Sequence, residues 1–129
     1  MLSEFVKSAD WKSEKHVPVI ECAESVAAGE SLAITVSVGK EIAHPNTTAH
    51  FISWIALHYV AEGSKMSIEL ARCEFSAHGA STEGADTGPA WTQSTVNVSA
   101  KLAKSGKLYA TSYCNIHGLW ASEKAVAVK

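Results

Sequence analysis

The sequence lacks the features that mark membrane-spanning, nucleic-acid-binding or disulfide-built proteins. No apolar run reaches the roughly 18–20 residues that a bilayer-spanning helix needs. Neither sign of charge dominates: 11 Lys and Arg stand against 13 Asp and Glu, a net of −2, so there is no basic footprint for nucleic acid. Cysteine is scarce and odd in number, at Cys22, Cys73 and Cys114, with no CxxC pair. A disulfide framework wants an even set in a secreted chain, so reduced thiols are the simplest state and each needs its own explanation. The same gap excludes a four-cysteine metal centre within the chain. The opening residues, MLSEFVKSADWKSEK, hold no apolar stretch long enough for a signal peptide, which sets the expectation of a cytoplasmic protein.

What is present is a globular composition, 47% hydrophobic and 19% charged, over 129 residues. That length suits one domain spanning 1–129, with 1–12 as a short arm. The apolar pattern is strand-like and broken by turn chemistry. Ser31–Val38 alternates, with Leu32, Ile34, Val36 and Val38 on one face. Phe51–Val60 is apolar on both faces, as a central strand would be. Val17–Ile20, Met66–Phe75, Thr95–Ala100, Lys107–Tyr113 and Ala125–Val128 complete the set. Glu62-Gly63-Ser64-Lys65 reads as one hairpin connection, and Lys104-Ser105-Gly106 as a second with glycine available for positive φ. Ser3–Asp10 has weak helical character, and His78–Pro89 reads as a long surface loop. The expectation is an all-β fold, an immunoglobulin-like seven-stranded antiparallel sandwich.

Six histidines are many for so small a chain. His16 precedes a strand in EKHVP, His44 and His50 bracket HPNTTAH, and Cys114 and His117 share CNIHG. All lie at strand ends or in loops, where a β scaffold presents functional side chains. A CxxH step puts a thiolate and an imidazole on one turn, near enough to chelate one ion. Structural zinc takes four ligands and leaves no empty position, whereas four imidazoles and a thiolate suit iron in a square pyramid with one open site. An anionic sulfur opposite that site would push electron density toward whatever binds there. Glu14-Lys15 beside His16 forms an anion-attracting pair. His58 shares strand parity with His50 but lies about 26 Å along an extended strand, at roughly 3.3 Å per residue, and is read as structural. His78 is read as a turn residue, Cys22 and Cys73 as small hydrophobes, and Trp11, Trp54, Trp91 and Trp120 as core and interface bulk.

The segments EKHVPVIE, VSVGKEIAHPNTTAHFISWI and YCNIHGLW together resemble the one-iron superoxide reductases, or neelaredoxins, whose iron-binding domain recurs in desulfoferrodoxins. The likeness runs from about Asp10 to Trp120, in three specific segments in order. It implies one Fe2+/Fe3+ ion per chain, with His16, His44, His50 and His117 as equatorial ligands and Cys114 as the axial thiolate. It also implies catalytic roles for Glu14, as a sixth ligand in the ferric state, and for Lys15, as the lysine that draws superoxide in. Asn115 and Ile116 match positions whose backbone amides tune the sulfur, and Trp120 is placed to screen the metal. Two positions depart from the family's HPNTTEHHI pattern, Ala49 and Phe51, where Glu and His are usual.

The resemblance further implies reduction of superoxide to hydrogen peroxide, a rubredoxin or similar one-electron donor, and a homotetramer. The alternative from another class is a non-catalytic iron electron-transfer protein, which binding of azide or cyanide to the oxidised metal would disfavour.

Overall fold

Short runs rich in β-branched and aromatic residues, punctuated by turn formers, favour strands over helices. In the computed structural model, which describes residues 1–129, the chain forms eight strands. They are β1 (Val19–Glu21), β2 (Ser25–Val26), β3 (Ser31–Ser37), β4 (Ile52–Ala61), β5 (Ile68–Glu74), β6 (Thr95–Lys101), β7 (Gly106–Cys114) and β8 (Gly118–Val128). The only helical element is a 3-10 turn at Leu2–Phe5, shorter than the Ser3–Asp10 helix the sequence suggests. No helix is long and apolar enough to cross a membrane.

The strands divide into a three-stranded sheet in the order β1-β3-β6 and a five-stranded sheet in the order β2-β8-β7-β4-β5. Alternation in β3 sends Leu32, Ile34 and Val36 inward, where they meet Ile55, Leu57, Leu108, Ala110 and Val126 of the other sheet. All are at most 3% exposed, so each of the valine, leucine and isoleucine side chains contributes roughly 1.5–3 kcal/mol of burial. The sandwich expected from the sequence is therefore present, with one more strand than the seven read there. The extra one, β2, pairs with β8 in parallel over two residues (Ser25↔Ala127, Val26↔Val128) and departs from the otherwise antiparallel pattern. Two residues are too few to show any alternation.

Two connections differ from the sequence reading, and the second shapes the site. Lys104-Ser105-Gly106 is a crossover, not a hairpin: β6 pairs only with β3, while β7 lies between β4 and β8. The local signal for a turn was real, but it could not say which sheet the next strand joins. The last strand does not begin at Ala125. It begins at Gly118, directly after CNIH, so β7 and β8 form a long hairpin closed by Cys114↔Gly118. The Glu62–Lys65 connection is the expected hairpin, joining the antiparallel pair β4 and β5.

Gly106 has an ordinary φ, and its glycine is needed for close approach instead: a Cβ there would stand 2.3 Å from the Val60 carbonyl oxygen. Gly106→Ala should therefore destabilise the protein by about 1–3 kcal/mol, as overpacking does. Urea unfolding of the metal-free protein measures this, and a change under about 0.5 kcal/mol, ordinary for a surface site, would remove the proposed clash.

Candidate metal centre

The sheets end so that three separate chain segments meet at one rim. His16 lies just before β1, and Pro18 beyond it favours extended backbone. His44 and His50 sit in the connection from β3 to β4, Cys114 is the last residue of β7, and His117 occupies the turn into β8. Ser112 on β7 ties the first segment down by donating to the His16 carbonyl (3.2 Å).

The ring and sulfur atoms converge. One donor atom each from His16, His50, Cys114 and His117 lie within 4.8 Å of one another. His117 Nδ1 is 3.1 Å from His16 Nε2, 3.2 Å from His50 Nε2 and 3.7 Å from Cys114 Sγ. His44 completes the ring of imidazoles, with its centroid 4.9 Å from that of His16 and 4.8 Å from that of His50, nearly perpendicular to both. All five ligand positions named from the sequence are thus together.

Partners on the far side of the rings fix which nitrogen faces inward. His44 Nδ1–H donates to the Pro45 carbonyl (2.6 Å), and its Nε2 is buried with no hydrogen-bond partner. A buried, unprotonated nitrogen without a donor is the state a metal ligand occupies before loading. His16 Nδ1–H donates to Glu14 Oε1 (2.6 Å), which leaves Nε2 for the cluster. Burial holds the His44 imidazole down to about 4, aided by the charges of His16, His50 and Lys15 and opposed by the Pro45 carbonyl. His50 is lowered for the same leading reason, then by His117, His16 and Lys15. Both rings therefore remain neutral at physiological pH, with lone pairs free. Four nitrogens and one sulfur are a donor set that suits iron and does not suit calcium or magnesium.

Glu14 is engaged rather than free. Its Oε1 accepts from the His16 backbone N–H (3.0 Å) as well as from the ring, and these bonds keep its carboxyl below the ordinary carboxylate range, against burial. Lys15 is half-buried, and its charge is felt at His44 and His50. Trp120 stacks on His16 (centroids 5.0 Å, 14°) and donates from Nε1 to the His117 carbonyl (3.3 Å), shielding that side. Its other neighbour is Lys7, whose Nζ lies 5.5 Å from the ring.

The amide that reaches the sulfur is neither of the two expected, Asn115 and Ile116. His117 N–H donates to Cys114 Sγ (3.4 Å), whereas the Asn115 amide donates to the Phe51 carbonyl (3.2 Å). The tight turn at Asn115 aims that amide across to the neighbouring segment. The Asn115 side chain does the same, accepting from Phe51 N–H (2.9 Å) and donating to the Ala49 carbonyl (2.9 Å). These bonds use only the backbone of Ala49 and Phe51, so the departures from the usual family residues leave them intact.

His58 lies outside the site, its Nε2 3.6 Å from Glu69 Oε1 on the sheet. His78, read as a turn residue, is buried, with Nδ1 2.7 Å from Asn46 Oδ1. Neither His78 nor Asn46 was singled out as functional in the sequence, because a histidine opening a Gly-rich loop carries no periodic or spacing signal.

Comparison with known proteins agrees with this arrangement. The desulfoferrodoxin family model matches residues 8–123. Neelaredoxin of Megalodesulfovibrio gigas is 52% identical over 99% of the chain and 98% of its own length. The superoxide reductase of Pyrococcus furiosus is 50% identical over 95% of the chain and 97% of its own. Among solved structures, superoxide reductase (neelaredoxin) of Archaeoglobus fulgidus in the reduced form is 51% identical and superposes with a TM-score of 0.88, covering 95% of this chain and 98% of that one. Four imidazoles and a thiolate on a β-sandwich, together with these likenesses over nearly the whole chain, place the protein in the desulfoferrodoxin family.

Proposed function

We propose that the protein is a superoxide reductase, converting superoxide, one electron and two protons into hydrogen peroxide at a mononuclear non-haem iron. The observation that carries this reading is the buried His44 Nε2 with no partner, on a ring packed edge-on against two members of the His16, His50, His117 and Cys114 cluster. His16, His44 and His50 would bind through Nε2, His117 through Nδ1 and Cys114 through Sγ, since those are the atoms that face inward. When bound, iron supplies the single electron that superoxide takes up.

The protein's own groups do the rest. Lys15 offers a positive charge at the mouth against a net charge of −2, so attraction of the anion is local rather than global. Its ammonium also orders water from which protons are drawn. Glu14 orients His16 through Nδ1 while it is bonded there, and the same carboxylate would be available to ligate the iron once oxidised. The N–H of His117 on the sulfur removes electron density from the thiolate and so sets how readily the site gives up its electron.

Residues 1–129 are proposed to act as one iron-binding domain with 1–12 as an arm. The Lys7 backbone supports this, since it bridges to Trp120 and so joins the arm to the site. A rubredoxin-type one-electron donor in the cytoplasm would close the cycle. A homotetramer would cover apolar side chains left exposed here: Met66 just before β5, Ile68 at its start and Tyr109 on β7.

The direct test is pulse-generated superoxide against the reduced protein. One iron should be oxidised for each superoxide consumed, with peroxide formed and no dioxygen; dioxygen release would make it a dismutase instead. Cys114→Ser should abolish the thiolate-to-iron charge-transfer band of the oxidised protein, and persistence of that band would remove Cys114 from the ligand set. Lys15→Ala should slow the reaction with superoxide by about tenfold and flatten its ionic-strength dependence, with iron content unchanged. An unaltered salt dependence would take Lys15 out of the mechanism.

A further inference from the structure

The segment 38–51 carries two of the ligands yet has no strand or helix to hold them, so its shape depends on what grips it from outside. Within the segment, Thr47 N–H donates to the His50 carbonyl (3.0 Å) and His50 N–H to Thr47 Oγ1 (3.0 Å). Asn115 holds the stretch at Ala49 and Phe51 from the side of the β7–β8 turn. The opposite grip comes from the loop after β5. His78 Nδ1 stands 2.7 Å from Asn46 Oδ1, and its ring stacks on Phe51 with centroids 3.9 Å apart at 11°. Asn46 Nδ2 donates to the Thr92 carbonyl (3.0 Å), which turns Oδ1 toward His78. Thr48 N–H donates to Asp86 Oδ1 (2.7 Å) from the same loop.

We propose that His78 is a positioning residue of the metal centre, setting where His44 and His50 stand through Asn46 and Phe51. This rests on the iron site proposed above. His78 touches neither ligand, but it grips the segment two residues after His44 and one residue after His50. It is itself fixed: Nε2–H donates to the Phe75 carbonyl (2.6 Å), and the neck of its loop is closed by Thr92 N–H to the Ala77 carbonyl (2.8 Å). A residue needed only for bulk here would not be a buried imidazole, since burying its nitrogens is unfavourable unless both find partners. Both nitrogens face an acceptor oxygen, so pairing both takes an N–H on each, and one of those acceptors, Asn46 Oδ1, belongs to the ligand segment. Metal ligands tolerate displacements of only about 0.5 Å. Residues that orient ligands typically change metal affinity 10–100-fold when lost. Acting through Asn46, His78 falls toward the lower figure.

Three variants separate positioning from packing. His78→Asn places an amide donor near the Nδ1 position, toward Asn46; His78→Gln places one near Nε2, toward the Phe75 carbonyl; His78→Leu has neither. Affinity is measured by chelator competition for iron(II) and, in parallel, for cobalt(II), whose absorption bands report ligand number and geometry. The ferric visible and paramagnetic resonance spectra and the thermal unfolding of the metal-free proteins are recorded alongside. His78→Gln and His78→Leu should lose about tenfold in affinity and shift the spectra, and His78→Asn should recover both, although Asn and Gln lose thermal stability to the same extent. Equal affinity and unshifted bands in all variants, or losses that follow thermal stability instead of the donor toward Asn46, would overturn the proposal. A parent protein that takes cobalt but not iron overturns the iron reading alone, since the cobalt series still decides the role of His78.

Discussion

Imidazole lone pairs do not gather around one point unless something positive stands among them, and the structure depends on that constraint. His117 Nδ1 faces two other ring nitrogens and a sulfur, all within 3.7 Å, yet it has one hydrogen at most to give. His44 Nε2, buried and unpartnered, adds a further acceptor with no donor. Hydrogen bonding alone leaves this cluster unsatisfied, and such groups are unfavourable to bury. A cation satisfies all of them together. Metal binding would therefore relieve the whole unsatisfied set at once, adding its binding free energy to the stability of this rim.

The sandwich provides rigidity where the ligands attach to it and none where they do not. Cys114 ends a strand paired on both sides, and Ser112, two residues earlier, anchors His16 through its carbonyl. Those two ligands inherit their positions from the sheet. His44 and His50 inherit theirs from side chains, with Asn115 on one flank and His78 on the other. The N-terminal arm adds a third support: Lys7 pairs by backbone with Leu119 and Ala121, which holds Lys7 beside Trp120 and Trp120 flat against His16. Two of the imidazoles thus have a hydrogen-bond partner behind them, Glu14 for His16 and the Pro45 carbonyl for His44, which fixes the nitrogen each presents to the site.

The ligands were legible in the sequence because their spacing is local: CNIH is a single turn, HPNTTAH a single loop, and EKHVP a strand entry. The strands were legible where one face is buried, as in Ser31–Val38. Three features were not legible, for a shared reason. Gly106 looks like a turn glycine, but its requirement comes from the Val60 carbonyl across the sheet. Gly118–Ala121 shows no alternation, since burial there is set by the site and the arm rather than by a core face. His78 lies 28 positions beyond His50, and its partners Asn46, Phe51 and Phe75 are set by the tertiary fold. Sequence periodicity reports a residue's own element; it does not report which element approaches from elsewhere.

The distribution of exposure across the cluster bears on its chemistry. Cys114 is 0% exposed and His16 6%, while Asn115, Ile116 and His117 in the adjoining turn are open to solvent. The sulfur therefore lies on the protein side and an imidazole on the solvent side. Peroxide, the product of the proposed reaction, oxidises accessible thiolates toward sulfenic and sulfinic acids. A thiolate at the rim would be consumed by its own product, whereas an imidazole there is far less susceptible. Ending β7 on the cysteine and placing the histidine three residues later, in the turn, yields this order directly. CxxH at the closure of a hairpin is thus more than a chelating pair: it buries the oxidisable ligand and exposes the durable one.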